Sequence, residues 1–191
     1  MNPTEVLEVL ETRGAVLKGH FVLSSGRHSD LFVQKFRVFE DPRLTQSFGE
    51  AIASRFGGDF DVVASPAVGA IVLGFATALA ADRRAIFAER VDDRFLFRRG
   101  FAIKPHERTL IVEDVVTTGG SAREIVRLVR ASAGVPVGIG ALIDRSHAEE
   151  HLDLGAPMKA LLRLETTTWS PEDCPLCAAS APLSDLGSRW L

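Results

Sequence analysis

Residues 110–122 read Leu-Ile-Val-Glu-Asp-Val-Val-Thr-Thr-Gly-Gly-Ser-Ala, an apolar run, an acidic pair and a Thr/Gly/Ser loop that passes into helical spacing. Leu110 to Val116 has the β-branched character of a strand buried in a parallel sheet, and Ile125, Leu128 and Val129 then fall on one helical face. A loop between a strand's C-terminal end and a helix's N-terminus is built to hold an anion. Gly119 and Gly120 let backbone N–H groups approach it, and the hydroxyls of Thr117, Thr118 and Ser121 add donors. The acids are the informative part, because carboxylates beside an anion repel it unless they face something else. Glu113 and Asp114 suit sugar hydroxyls or a bridging cation, while Val115 and Val116 carry the chain into the loop. A ribose 5-phosphate answers both demands. A plain strand-to-helix turn would need one Gly and no acids on a buried strand. A Walker-type loop is excluded by the lack of Gly-Lys-Ser or Gly-Lys-Thr.

Three more segments fall where strands should end. Ala64-Ser-Pro-Ala-Val-Gly-Ala70 follows a strand and begins a helix, so Ala67, Val68 and Gly69 can offer backbone N–H groups to a second anion; a tight turn accounts for these residues equally well. The stretch 90–104 carries Arg90, Arg94, Arg98, Arg99 and Lys104. Cations closing over a leaving group of growing negative charge would stabilise a transition state more than a ground state. Phe95, Leu96 and Phe97 interleave with the charges, so a solvated β-ribbon with one buried face is expected even if the arginines act. Ile143-Asp-Arg145 ends a later strand, where the guanidinium either grips a planar carboxylate or pairs with Asp144 or Glu149. Cys174-Pro-Leu-Cys177 supplies half a tetrahedral zinc site, with no nearby His or second pair. The expectation is a reduced, partly buried turn that binds no metal within one chain; a zinc shared between subunits is the alternative.

The elements that must position these groups read as one unit. Asn2-Pro3-Thr4-Glu5 starts a helix that Gly14 closes. Val16–Leu23 reads as a short hairpin around Lys18-Gly19, and Asp30–Gln34 as a strand after the Ser24-Ser25-Gly26-Arg27 turn. Asp41-Pro42 opens a helix with Leu44, Phe48, Ile52 and Phe56 facing the core. A strand over 61–65, a helix over 68–81, a strand over 85–89, a long loop over 90–107, the motif strand and its helix, and strands over 138–143 and 159–164 follow. This βαβ rhythm predicts an α/β fold with a mainly parallel, doubly wound sheet, and ligands at the strands' C-terminal ends.

Composition agrees. A chain of 191 residues suffices for one sizeable core. No run of eighteen apolar residues offers a membrane span, and no basic region followed by an apolar block marks a secretory signal. The cytoplasm is the expected compartment, with no membrane partner. A net charge of −3 gives no reason to expect nucleic acid.

The acidic pair followed by Thr-Thr-Gly-Gly-Ser closely resembles the 5-phosphoribosyl 1-pyrophosphate (PRPP) motif of the type I phosphoribosyltransferases. With Ser24-Ser-Gly-Arg-His-Ser29, Phe32, Ser-Pro-Ala, the cationic loop and Asp144-Arg145 in order, the resemblance narrows to the orotate phosphoribosyltransferases and covers nearly the whole chain. The chain differs from many members in having Ser24, Gly69 and an Arg-Arg-Gly-Phe loop where they carry Lys or His. It implies a single phosphoribosyltransferase domain over 1–191, with a small N-terminal hood (1–40), a core (41–165) and a tail (166–191). It also implies Mg²⁺-dependent transfer from PRPP to orotate, with the metal held mainly by PRPP and water. Carried over residue by residue, Asp114, Glu113, Arg99 and Arg98 would be catalytic. PRPP would meet residues 113–121, Arg90, Lys104 and Ala67–Gly69, and orotate would meet Ser24, Ser25, Gly26, Arg27, Phe32, Thr117 and Arg145. Members are homodimers whose mobile loop crosses the interface. A purine phosphoribosyltransferase, or a regulator that binds PRPP without turnover, are the other readings of the same residues.

Overall fold

Asn2 caps α1 (Pro3–Thr12) in a reciprocal capping box with Glu5, and Val6 and Leu10 on its inner face are fully buried. A computed structural model describes residues 1–23, 25–146 and 152–185. After α1 the chain forms an antiparallel hairpin of β1 (Val16–Val22) and β2 (His28–Val33). Lys18-Gly19 is not the hairpin turn. It lies at a bulge, where Lys18 faces Leu31 and Phe21 faces Ser29, so β1 has one residue too many. Consecutive His20 and Phe21 are both buried as a result. The reversal comes between Val22 and His28 instead, closed by Leu23 N–H donating to the Arg27 carbonyl at 2.8 Å.

A short helix α2 (Phe36–Phe39) precedes α3 (Pro42–Arg55), whose first turn donates to the Asp41 carboxylate and whose Phe48 and Ile52 are fully buried. Next come β3 (Val62–Pro66), α4 (Ile71–Ala80), β4 (Arg84–Val91) and β5 (Arg94–Phe97). The first half of the expected 90–107 loop is therefore a ribbon: β5 pairs antiparallel with β4, and Asp92 and Asp93 turn it with positive φ. Phe95 fills its buried face. The motif strand β6 (Arg108–Val116) leads into α5 (Gly120–Ala131), and β7 (Val135–Asp144) and β8 (Met158–Arg163) complete the large sheet.

That sheet has the order β5-β4-β3-β6-β7-β8 and is parallel apart from β5. Both faces are covered, which is why β6 carries the apolar run Leu110–Val112 ahead of its acidic pair. Leu110 and Val112 face the core shared with α1, α3 and α4, whereas Ile111 faces the core shared with α5. The order places the ligand site. From β3 the chain steps to β4 on one side and then crosses to β6 on the other, so the connections leaving β3 and β6 diverge and open a crevice at their C-terminal ends.

The C-terminal segment returns to the first hairpin. Strand β9 (Thr168–Trp169) pairs with β2 to give a three-stranded sheet, and α6 (Pro175–Ala178) follows. This corrects the expectation that Cys174 and Cys177 stand without histidines. His20 and His28 lie against both thiols. They come from the far end of the chain, where no local spacing could reveal them.

Candidate active site

The divergence of β3 and β6 opens a pocket of about 640 Å³. Its walls are the turn after β3 (Pro66–Gly69), the end of β6, the whole 117–121 loop, the first turns of α5, and Arg90 and Phe95 of the ribbon. All nine motif residues from Glu113 to Ser121 and the three of the Ala67–Gly69 turn line it. Gly119 is the left-handed hinge between strand and helix at φ +72°, and a Cβ there would overlap the Leu154 side chain. The hinge leaves the first N–H groups of α5 without helical acceptors at the pocket wall, at the positive end of a twelve-residue helix.

The carboxylates occupy unlike environments. Asp114 is almost fully buried and forms an ion pair with Lys35, the residue just past β2 and α2's N-cap. Its other oxygen accepts from Val115 N–H at 2.6 Å. Among the described residues Glu113 forms no ion pair, and it accepts from Asp114 N–H at 3.1 Å. Burial first, and the neighbouring charge of Asp114 second, push Glu113 from 4.5 to about 9. At neutral pH it therefore carries a proton and can donate a hydrogen bond while Asp114 accepts. Gly69 belongs to the same constellation, since a Cβ there would collide with the Asp114 carboxylate and come within 2.7 Å of Lys35 Nζ.

The cations of the ribbon divide. Arg90 lines the pocket, stacks 4.2 Å from the Phe95 ring and pairs with Glu124 at 3.2 Å. Glu124 also accepts from Phe95 N–H at 2.7 Å, fastening the ribbon to α5. Arg98 and Arg99 both pair with Glu89, on the ribbon itself, and neither they nor Lys104 line the pocket. The remaining candidates form a second group. Arg27 donates to the Thr168 hydroxyl at 3.0 Å and to its carbonyl at 2.7 Å, beside Ser25 and Gly26. Phe32 packs against Phe21 at 5.6 Å. Ser24 lies outside the described residues. Among the described residues the Arg145 side chain has one weak partner, the Thr166 hydroxyl at 3.4 Å, and its buried Nε has none; Glu149 lies outside the described residues. Burial alone pulls Arg145 below its ordinary value. An anion at the guanidinium would offset that cost.

As pocket residues, Lys35, Phe95 and Glu124 escape a reading of the sequence. Two carry a signal: Glu124 lies in the first turns of the motif helix, and Phe95 on the buried face of the cationic ribbon. Lys35 reaches the pocket because the small sheet lies over the end of β6, which local spacing does not encode.

No family model matches the chain. An orotate phosphoribosyltransferase of Caldanaerobacter subterraneus subsp. tengcongensis is 43% identical over 192 residues, covering 100% of both chains. One from Thermotoga maritima is 42% identical over 187 residues, covering 97% of this chain and 99% of its own. Among solved structures, an orotate phosphoribosyltransferase of Mycobacterium tuberculosis H37Rv superposes with a TM-score of 0.68 at 26% identity, over 85% of this chain and 96% of that one. An adenine phosphoribosyltransferase from Thermoanaerobacter pseudethanolicus shares the fold, with a TM-score of 0.60 at 18% identity over 70% of this chain and 88% of its own.

Proposed function

The chain belongs to the orotate phosphoribosyltransferase family of transferases, and from that premise we propose that its pocket binds PRPP and passes the phosphoribosyl group to N1 of orotate. The bond from C1 to the pyrophosphate oxygen breaks and a bond from C1 to N1 forms. The N1 proton leaves to solvent. One observation carries the reading: a carboxyl pair and a hydroxyl-rich helix N-terminus share one crevice at the switch point of the sheet.

The 117–121 loop would hold the 5-phosphate through N–H groups and the hydroxyls of Thr117, Thr118 and Ser121. Asp114 and Glu113 would hold ribose hydroxyls, and the negative charge at Asp114 favours the positive charge that develops at C1. The Ala67–Gly69 turn and Arg90 would receive pyrophosphate, with Arg98, Arg99 and Lys104 closing over it. Orotate would lie against Phe32 and the 24–27 turn, with Thr117 beside it and its carboxylate on Arg145. The ring nitrogen needs little activation, so positioning and electrostatics supply the rate.

A divalent cation fits as a passenger of PRPP. Among the described residues the pocket offers no group of three acidic, His or Cys ligands, so Mg²⁺ would take most of its oxygens from substrate and water, with Asp114 and Glu113 nearby. Bound there, it would neutralise the pyrophosphate.

A homodimer is supported by an apolar stripe. Val68, Val72, Phe75 and Leu79 stand exposed at helical spacing along α4 and the turn before it, next to the pocket. Since Arg98, Arg99 and Lys104 do not line the pocket of their own chain, we propose that one of them acts in the neighbouring protomer's site. No helix among the described residues is long and apolar enough to cross a membrane, and the net charge of −3 favours no nucleic acid; the proposed compartment is the cytoplasm. The test is PRPP consumption with orotate, uracil, adenine, hypoxanthine and xanthine in turn. Orotate alone should be consumed. Turnover of a purine with orotate inert would overturn the base assignment, and PRPP binding without any turnover would point to a regulator.

A further inference from the structure

We propose that His20, His28, Cys174 and Cys177 bind one zinc ion per chain, in a tetrahedral site that clasps the C-terminal segment onto the first hairpin. Four ligand atoms, one from each residue, all lie within 4.8 Å of one another. His20 Nε2 lies 3.0 Å from His28 Nδ1, 3.5 Å from Cys174 Sγ and 3.7 Å from Cys177 Sγ, and Cys177 Sγ lies 3.3 Å from His28 Nδ1. Bond lengths of about 2.0–2.1 Å to nitrogen and 2.3 Å to sulfur give a zinc tetrahedron edges of roughly 3.3–3.8 Å. These four separations lie within a few tenths of an ångström of those edges and the other two are no more than 4.8 Å, so a cation at the centre requires only modest shifts.

Hydrogen bonding alone does not account for the cluster. His20 Nδ1 lies 3.0 Å from the Ala181 carbonyl, which can only accept, so Nδ1 carries the proton and Nε2 presents a single lone pair. Three groups converge on that lone pair: His28 Nδ1 and both thiols. It can accept from one. A cation at their common focus takes a lone pair from each instead. The Ala181 contact is also the outer hydrogen bond that metal-ligating histidines characteristically make, fixing tautomer and ring plane. A tetrahedral two-sulfur, two-nitrogen set selects zinc over harder cations.

The site has structural work to do. Strand β9 is two residues long, and the segment beyond it holds the hairpin through few contacts, such as Ser184 N–H to the His20 carbonyl at 2.8 Å and Val22 N–H to the Ser184 carbonyl at 3.1 Å. Cross-linking β1 and β2 to Cys174 and Cys177 would fix that segment and, with it, the Arg27–Thr168 contact. All four ligands come from one chain, so sharing between subunits is unnecessary.

The test uses the full-length protein, purified without chelator from zinc-supplemented medium, with metal measured by mass spectrometry. The expected content is about one zinc per chain, falling at least tenfold in the Cys174→Ser/Cys177→Ser double variant. Metal-stripped wild-type protein titrated with Co²⁺ should develop sulfur-to-cobalt charge-transfer absorption and tetrahedral ligand-field bands, saturating near one equivalent. His28→Asn, which keeps both thiols, should lose the tetrahedral spectrum. Folded wild-type protein that binds neither zinc nor cobalt, a Cys174–Cys177 disulfide in the freshly purified protein, or half an equivalent of zinc per chain would each overturn the proposal.

Discussion

Replacing Glu113 by Gln should make the stability of the protein far less sensitive to alkali. Burial, reinforced by the charge of Asp114, raises Glu113 from 4.5 to about 9, and the side chain is only 6% exposed, so solvent screens little of the effect. Between these two values the folded protein holds a proton that the unfolded chain has released. Stability is therefore greatest below about pH 4.5 as far as this group is concerned. It falls as pH rises towards 9, where the folded carboxyl ionises as well. Each pH unit in that window costs about 1.4 kcal/mol, so between pH 5 and pH 8 the wild-type protein should lose about 4 kcal/mol at this site. Gln has nearly the same shape and stays neutral, so the variant's advantage over wild type should widen by about that amount over the same interval. Urea unfolding followed by circular dichroism at several pH values reads the difference directly. Chain concentration must be held constant, since the proposed dimer would add to apparent stability. Parallel profiles, with the gap changing by less than about 1 kcal/mol, would show that Glu113 is not protonated in the folded protein.

Three further outcomes follow from the same geometry. Asp114→Asn should lower turnover about a hundredfold or more, a loss of about 2.7 kcal/mol of transition-state stabilisation, with circular dichroism unchanged; full activity would remove Asp114 from the mechanism. Gly69→Ala drives a methyl into the Asp114 carboxylate, so PRPP should bind at least about tenfold more weakly, at a stability cost of about 1–3 kcal/mol; unchanged PRPP affinity in calorimetry would refute the close approach. Refolding inactive Arg99→Ala together with inactive Asp114→Asn should restore about a quarter of wild-type activity if the loop acts across the proposed dimer, half the dimers being mixed with one intact site each. No recovery in a mixture shown to contain mixed dimers would place Arg99 on its own protomer's site.

The parts of the molecule legible in the sequence are those whose signal is local. The switch-point strand and its loop carry period, glycines and acids within thirteen residues, and the capping box of α1 and the Asp41 cap of α3 lie within single turns. The bulge at Lys18-Gly19 was misleading because Gly followed by alternating residues also describes a turn, and only the pairing of β1 with β2 distinguishes them. Lys35 and the His/Cys cluster were illegible for a different reason. Lys35 meets Asp114 across 79 positions, and His20 meets Cys174 across 154. The first contact depends on the small sheet closing over the large one, and the second on the C-terminal segment returning to the first hairpin. Glu113 was visible as an acid beside a phosphate loop, but its protonation depends on a burial that only the packed sheet supplies.

The most direct measurement of the central reading is the stoichiometry of the reaction in the wild-type protein. Orotate consumed and pyrophosphate released would be quantified together from PRPP, with Mg²⁺ and again with chelator in its place. The expected result is equal molar amounts of the two with Mg²⁺, matched by orotidine 5′-monophosphate, and neither with chelator. Pyrophosphate released without loss of orotate, or PRPP bound with no release at all, would contradict it.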